Sequence, residues 1–222
     1  MTQANDSILV TPGSGATVAT HLANTKEYQA VVIADDSGHI KGTKETYSYI
    51  VPSAAVGANK LWLDIFNATG SGKVMRIISV RPIIDTDVAV TALVGIRLLV
   101  FRTSAVGTGG TAWNYKSATL DVAGGTVGPH DTNNSALPAQ ITGRHLPTAG
   151  ATISEWVRGM YAMGEEASTS MAYQFQGQHN LMDLDSDSAQ LFTVRENTGI
   201  LIKQGAVASI GNVRFRVTFT LE

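Results

Sequence analysis

The sequence predicts an all-β protein: an antiparallel β-sandwich or β-barrel, jelly-roll-like, with long loops and a flexible N-terminal arm. About ten short segments rich in β-branched and aromatic residues are separated by Gly, Pro, Asn and Asp turns. The last segment, residues 213–221, alternates strictly between apolar odd and polar even positions, which gives a strand one buried face. No segment has a convincing helical period. Many short strands without helices are typical of sandwiches and barrels.

The N-terminal half begins with a predicted arm, residues 1–16, ahead of a single β domain over residues 17–222. The arm is polar, then briefly apolar at Ile8, Leu9 and Val10, and it ends in a Thr-Pro-Gly-Ser-Gly turn. Pro82 indicates a bulge or an edge position in its strand. Strands are expected over residues 28–34, 46–51, 60–67 and 73–84, and the last two should form a hairpin across the turn at 67–72.

The most apolar segment, residues 88–102, can be either a buried helix or a strand, because periodicity alone does not separate the two. Its β-branched residues favour a long strand bent at Gly95. Residues 124–150 carry Gly-Gly, Asn-Asn and three prolines with little apolar periodicity, which predicts a long loop. Loops of this length are often ordered by a partner. Further strands are expected over residues 113–122, 153–163, 170–178, 190–195 and 199–203.

Composition excludes several kinds of function. The net charge is −2, so no basic excess exists for nucleic-acid binding. Cysteine is absent, which excludes disulfides and thiolate sites. No leader segment is evident and no apolar run reaches 18 residues, so a soluble protein is expected. Charged residues make up only 15% of the chain, which limits repulsion between copies and suits a protein that packs against neighbours. An ordinary β protein with many turns is the alternative.

Two short motifs resemble ligand sites but lack required residues. Residues 67–74 (NATGSGKV) look like a phosphate-binding loop, but Asn67 replaces its first Gly, Val74 replaces its Ser or Thr, and a strand follows. Asp183, Asp185 and Asp187 have a spacing that can gather oxygens around Ca²⁺, without the Gly and Glu of a calcium loop. A solvated acidic turn is preferred there over a weak structural cation site. The sequence therefore predicts no cofactor and no metal centre.

Catalytic signatures are missing as well. The five histidines stand at neither the i, i+2 nor the i, i+4 spacing that shares one face of a strand or helix. No Gly-x-Ser-x-Gly turn presents a serine nucleophile. Glu165 and Glu166 are adjacent, which points their carboxylates apart on a strand. We therefore expect a protein that is not an enzyme, with a hydrolase whose site is assembled from distant strands as a remaining alternative.

The aromatic residues and the arginines of the last strand are the remaining candidates for binding. Aromatic side chains of this kind line sugar sites, but in β proteins they more often fill the core. Arg214 and Arg216 share the polar face of the last strand, where they can be solvated, pair with acids, or contact a neighbouring subunit. The aromatic candidates are Trp62, Trp113, Trp156, Tyr115 and Tyr161.

Three segments resemble virion structural proteins of tailed bacteriophages. They are residues 8–20 (ILVTPGSGATVAT), 28–32 (YQAVV) and 60–80 (KLWLDIFNATGSGKVMRIISV), which follow the order of strands and turns in such proteins. The resemblance implies a capsid decoration protein, or a tail or baseplate part, and it transfers no site residues. Decoration proteins with a β body are often trimers, so it also implies a cyclic homo-oligomer.

Together these observations predict a non-enzymatic capsid decoration protein, located in the virion, that stabilises the shell by subunit packing. Its expected partners are other copies of itself and the major capsid protein or another virion protein, with neither nucleic acid nor membrane. The alternatives are a tail or baseplate component and a receptor- or carbohydrate-binding module. The candidate subunit contacts are Ile8, Leu9, Val10, Arg214 and Arg216.

Overall fold

All the regular secondary structure that the structure describes is β, as the sequence predicts. The structure is a computed structural model that describes residues 18–23, 26–31, 44–84, 94–116, 124–153, 155, 157–164, 181–182 and 191–222. Within these ranges, no helix has the length and apolar character that crossing a membrane requires.

The strands, in chain order, are β1 (Val18–Ala23), β2 (Lys26–Val31), β3 (Glu45–Ala55), β4 (Leu61–Asn67), β5 (Met75–Ile84), β6 (Val94–Thr103), β7 (Thr111–Ala112), β8 (Asn114–Tyr115), β9 (Thr126–Pro129), β10 (Ile141–His145), β11 (Arg158–Gly164), β12 (Phe192–Val194), β13 (Thr198–Gln204) and β14 (Asn212–Leu221). The predicted strand at 170–178 lies outside the described residues. The ambiguous segment at 88–102 is a strand from Val94 onward.

The chain divides into two compact units, Met1–Lys44 and Glu45–Glu222. In the first unit, β1 and β2 form an antiparallel hairpin in which Val18 pairs with Val31. The second unit contains β3 to β14. The division follows Lys44, and the boundary that the sequence predicts after residue 16 lies outside the described residues. The predicted arm at 1–16, with Ile8, Leu9 and Val10, lies outside the described residues.

The second unit is a β-sandwich of two six-stranded sheets. Sheet I has the order β11-β6-β13-β4-β10-β7, and sheet II has the order β12-β5-β14-β3-β9-β8. All neighbouring strands are antiparallel except β8 and β9. Aromatic contacts join the inner faces of the two sheets: the ring of Trp62 in sheet I lies 5.3 Å from that of Phe215 in sheet II. The predicted sandwich is thus confirmed.

The last strand has the alternation that the sequence predicts. It lies in the interior of sheet II, between β5 and β3 and antiparallel to both. The side chain of Arg216 is exposed on the outer face of the sheet. The odd positions point inward and are buried; they are Val213, Phe215, Val217, Phe219 and Leu221.

The predicted hairpin over residues 60–84 is wrong, because β4 belongs to sheet I and β5 to sheet II. The connection between them carries Gly70 and Gly72 with φ of 86° and 62°, values that favour glycine. The side-chain amide of Asn67 donates to the carbonyl of Lys73, 2.9 Å away, and closes the turn. Strands that are adjacent in sequence pair only about two-thirds of the time, and nothing local marks this pair as an exception.

Residues 124–150, predicted as one long loop, contain β9 and β10. β9 pairs with β3 in sheet II and β10 pairs with β4 in sheet I, so this segment also crosses the sandwich. β9 contains glycine and proline, and β10 contains glycine. Because these residues are uncommon inside strands, the sequence pattern did not predict either strand. At Gly143 a Cβ would lie 2.3 Å from Cε3 of Trp113, so glycine is needed for the indole to pack against β10.

Pro52 does not end its strand, as the sequence suggested. Strand β3 continues to Ala55, and the register against β14 shifts between Val213 and Phe215, opposite this proline. A bulge is a position at which a sheet tolerates proline, since the ladder there is already interrupted.

Candidate functional site

The outer face of sheet II carries four arginines on two adjacent strands. Arg214 and Arg216 project from β14, and Arg76 and Arg81 project from β5. We call these four residues the arginine face. In the register of the two strands, Arg216 lies directly opposite Arg81. Side chains opposite each other on one face of a sheet have Cβ atoms about 5 Å apart, and like charges in such pairs are destabilising.

An acidic side chain compensates one end of the arginine face. A carboxylate oxygen of Glu222 lies 2.7 Å from Nε of Arg76. Arg81 and Arg214 also have interactions of their own. Arg216 is exposed and has no hydrogen bond or ion pair with the residues that the structure describes. At the centre of the arginine face, the guanidinium of Arg216 therefore faces solvent beside that of Arg81.

A serine and a histidine lie next to Arg216. The Oγ of Ser48, on β3, is 2.6 Å from Nε2 of His130 and 3.4 Å from the hydroxyl of Thr218. Partial burial, and then the charge of Arg216, lower the pKa of His130. The lowered pKa favours the neutral imidazole, which keeps a further positive charge off this face.

This pair lacks the other parts of a serine nucleophile. Within the described ranges, Nδ1 of His130 has no carboxylate partner to hold the tautomer that a catalytic base needs. Ser48 lies in a strand paired on both sides, with Thr218 and with Gly128, so the neighbouring backbone N–H groups are used in the sheet. The geometry describes a hydrogen-bonded polar surface beside the arginines.

A second charged group lies beneath the loops that cover sheet I. The side chain of Asp64 on β4 is fully buried, and its Oδ1 accepts the backbone N–H of Gly107 at 3.1 Å. Burial raises the pKa of Asp64 to about 6, although this hydrogen bond and the charge of Arg144 oppose the change. The guanidinium of Arg144 donates to the carbonyl of Gly109 at 2.6 Å. These contacts attach residues 104–110 to the sheet, and no solvent reaches the carboxylate.

The structure brings together only part of the predicted contact set. Arg214 and Arg216 share one outer face, and Arg81, Arg76 and His130 join them there. Sequence reasoning missed these three, because the register between β5 and β14 places Arg76 and Arg81, and the pairing of β9 with β3 places His130. Ile8, Leu9 and Val10 lie outside the described residues, as do Asp183, Asp185 and Asp187. Within the described part of the chain, no group of three His, Asp or Glu side chains could hold a metal.

The aromatic candidates for a sugar site do not form an exposed row. Trp62 is fully buried, and Trp113 packs edge-on against Tyr49, with 5.2 Å between ring centroids. Tyr115 lies 6.4 Å from the ring of Tyr47 at the margin of the core. Trp156 and the side chain of Tyr161 are outside the described part of the chain. The aromatics that are described serve mainly the core, the interpretation that the sequence favoured.

No protein-family model, no curated protein and no solved structure matches this chain.

Proposed function

We propose that this protein is a non-enzymatic structural subunit of a tailed-bacteriophage particle, a capsid decoration protein whose arginine face contacts an acidic surface of a neighbouring virion protein. The observation that carries the contact is the like-charge pair of Arg216 and Arg81 on an outer sheet face. The sequence resemblance supports the virion setting. The low content of charged residues, 15%, supports a protein that packs against neighbours.

The electrostatics of the arginine face favour a partner with carboxylates. Arg216 and Arg81 lie opposite each other, and like charges in such pairs are destabilising. A partner carboxylate offsets this positive charge, and the planar fork of the exposed Arg216 binds carboxylates in bidentate fashion. Short hydroxyl side chains, Ser48, Thr218 and Ser79, form the row beside the pair. Ser48 and Ser79 are buried in this row, and Arg216 and Arg81 are the exposed charged side chains beside it.

The test is co-sedimentation of the purified protein with expanded, undecorated shells of the phage that encodes it. The variant Arg216→Glu should weaken binding by at least about tenfold, because it places a negative charge against the acidic partner surface. Binding of the unchanged protein should also weaken as NaCl is raised, since salt screens exposed charges.

The matched control is Arg97→Glu, which makes the same change at an exposed position on a strand of sheet I. It should bind shells as the unchanged protein does. Equal loss in both variants would show a general effect of charge and contradict the assigned face. Binding to tails in place of shells would make the subunit a tail or baseplate part. A concentration-independent monomer in light scattering would contradict the homo-oligomer.

A further inference from the structure

Two loops, residues 104–110 and 146–152, lie over the outer face of sheet I, and we call them the loop pair. Glycines allow them to approach this face closely. A Cβ at Gly107 would lie 3.2 Å from Cγ of Asp64, and a Cβ at Gly150 would lie 2.8 Å from Cδ2 of Leu201. Asp64 and Leu201 are neighbours in the register of β4 and β13, and both are buried. The loop pair therefore packs directly on the side chains of this face.

Backbone hydrogen bonds join the two loops to each other. The N–H of Thr108 donates to the carbonyl of Ala149 at 2.9 Å, and the N–H of Thr148 donates to the carbonyl of Thr108 at 2.8 Å. The hydroxyl of Thr148 donates to the same carbonyl at 3.1 Å. These bonds do not involve the sheet, so they can be kept when the loop pair moves away from it.

The polar contacts between the loop pair and the sheet are incomplete. Oδ1 of Asp64 accepts the N–H of Gly107 at 3.1 Å, and Nη1 of Arg144 donates to the carbonyl of Gly109 at 2.6 Å. Oδ2 of Asp64 and Nε of Arg144 are also buried, and they have no hydrogen-bond partner in the part of the chain that the structure describes. Burying a polar group without a partner is unfavourable, and burying a charge is more so. The closed loop pair thus suits a neutral Asp64 better than a carboxylate.

The surroundings of Asp64 give its ionisation a definite effect on the loop pair. Among the described residues, Arg144 is the charged group that faces it, directly opposite on β10. Leu201 faces it from β13, and neither loop contains a titratable residue. Burial raises the pKa of Asp64 to about 6, against the opposing effects of the Gly107 hydrogen bond and of Arg144. Exposure to water returns the carboxyl group toward its ordinary pKa of 3.8, so ionisation favours an open form.

The second loop begins in a conformation that leucine rarely adopts. Leu146 has φ of 51° and precedes Pro147. A positive φ is strained for a bulky residue, and such strain is found at segments that switch between conformations. The N–H of Leu146 donates to the carbonyl of Trp62 on β4 at 3.0 Å, which fixes the strained residue to the sheet at the margin of the loop pair. Strain at this point lowers the free energy needed to release the loop.

We propose that the loop pair is a pH-operated cover, which opens locally when Asp64 ionises while the rest of the sandwich stays folded. The open form binds the proton less tightly than the closed form, so opening increases as pH rises from about 4 to about 6 and then levels off. With pKa values of 3.8 and about 6 in the two forms, the opening constant should rise roughly 50-fold between about pH 4 and about pH 6.5. The cover does not depend on the virion role proposed above.

The test is amide hydrogen exchange of the full chain, measured by NMR at about pH 4 and about pH 6.5. The reporter is the N–H of Gly107. Its protection factor should fall roughly 50-fold in the unchanged protein and by less than about threefold in Asp64→Asn, because the asparagine keeps an acceptor and cannot ionise. The N–H of Val56, which donates to the carbonyl of Gly211 at 2.9 Å in another loop, is the matched control and should keep its protection.

Three results of this experiment would overturn the proposal. Equal or greater protection of Gly107 at the higher pH would mean that the loop pair stays closed, since an ionised carboxylate is the stronger acceptor. Equal falls in the unchanged protein and in Asp64→Asn would assign the effect to another group. Protection of Gly107 as high as that of Val217 in β14 would mean that the cover opens only when the whole sandwich unfolds.

Thiol labelling gives a second readout of the open form. The chain contains no cysteine, so Leu201→Cys introduces a single thiol beneath Gly150. Its labelling rate is divided by that of the Leu201→Cys, Asp64→Asn double variant at the same pH, which removes the effect of pH on the thiol itself. This ratio should rise roughly ninefold between about pH 5 and about pH 7. A constant ratio would contradict the cover, and circular dichroism checks that both variants keep the fold.

Discussion

Asp64 is a residue that the sequence pattern predicts to be exposed and that the structure buries. In the segment LWLDIFN it occupies a position that alternation assigns to the solvent side of β4. In the structure that side is covered by two crossing segments, which pair at Thr103 with Thr152 and at Thr108 with Ala149. The carboxylate is therefore buried, and no local pattern could have shown it because the cover comes from distant parts of the chain.

Asp64 should make the stability of the protein depend on pH. Its pKa rises from 3.8 in the unfolded chain to about 6 in the fold. Between these values the unfolded state has already lost the proton that the folded state keeps, so stability falls as pH rises through about 4 to 6. Asp64→Asn keeps an acceptor for Gly107 and removes the charge. We expect the variant to gain roughly 2–3 kcal/mol at about pH 7.5 and little at about pH 4.

Urea unfolding of both proteins at the two pH values measures this difference. Because every other carboxylate is common to both proteins, the change in their stability difference with pH reports Asp64 alone. A stability difference that stays constant between the two pH values would contradict a raised pKa at this position.

Strand β14 is the element that the sequence describes best, because its period of two is a local property that needs no knowledge of neighbours. The sequence predicted its buried face correctly, whereas Thr220 on the other face is buried as well. It could not give the order of strands, since that order depends on which chain segments meet across the sheet. Strands β4 and β5, read as a hairpin, and β9 and β10, read as a loop, show this limit.

The two faces of β14 should respond very differently to truncation. Phe215 is fully buried and its ring packs against Trp62, so Phe215→Ala should lower the free energy of unfolding by about 3–5 kcal/mol. Arg216→Ala, one residue along, should change it by less than about 0.5 kcal/mol. Urea denaturation curves of the two variants give the comparison, and similar losses in both would mean that the strand is not buried on one side only.

At the scale of the molecule, the described strands of the sandwich all come from the second compact unit. Both six-stranded sheets and the core cluster lie within Glu45–Glu222. The backbone of Glu222 pairs with that of Val74 in both directions, at 3.0 and 2.9 Å, which fixes the end of the chain to the start of β5. The sandwich is therefore expected to fold by itself.

Removal of residues 1–44 should leave a cooperative thermal transition whose midpoint stays within about 4 °C of that of the whole chain, because a larger shift would mean a loss of more than about 1 kcal/mol. Differential scanning calorimetry of the truncated and full chains measures this. A truncated protein that lacks a cooperative transition would show that the first unit supports the second. Removal of β14 is the destructive control, since that strand lies between β3 and β5.

The sequence by itself determined the all-β class, most of the strand positions that the structure describes, and the buried face of β14. These features follow from the local alternation of side chains along each strand. Only the tertiary structure decided which strands share a sheet, that Arg81 lies beside Arg216, and that two loops lie over a buried Asp64. The physical reason is that closing a longer loop costs little extra free energy, so the sequence near a strand does not specify its partner.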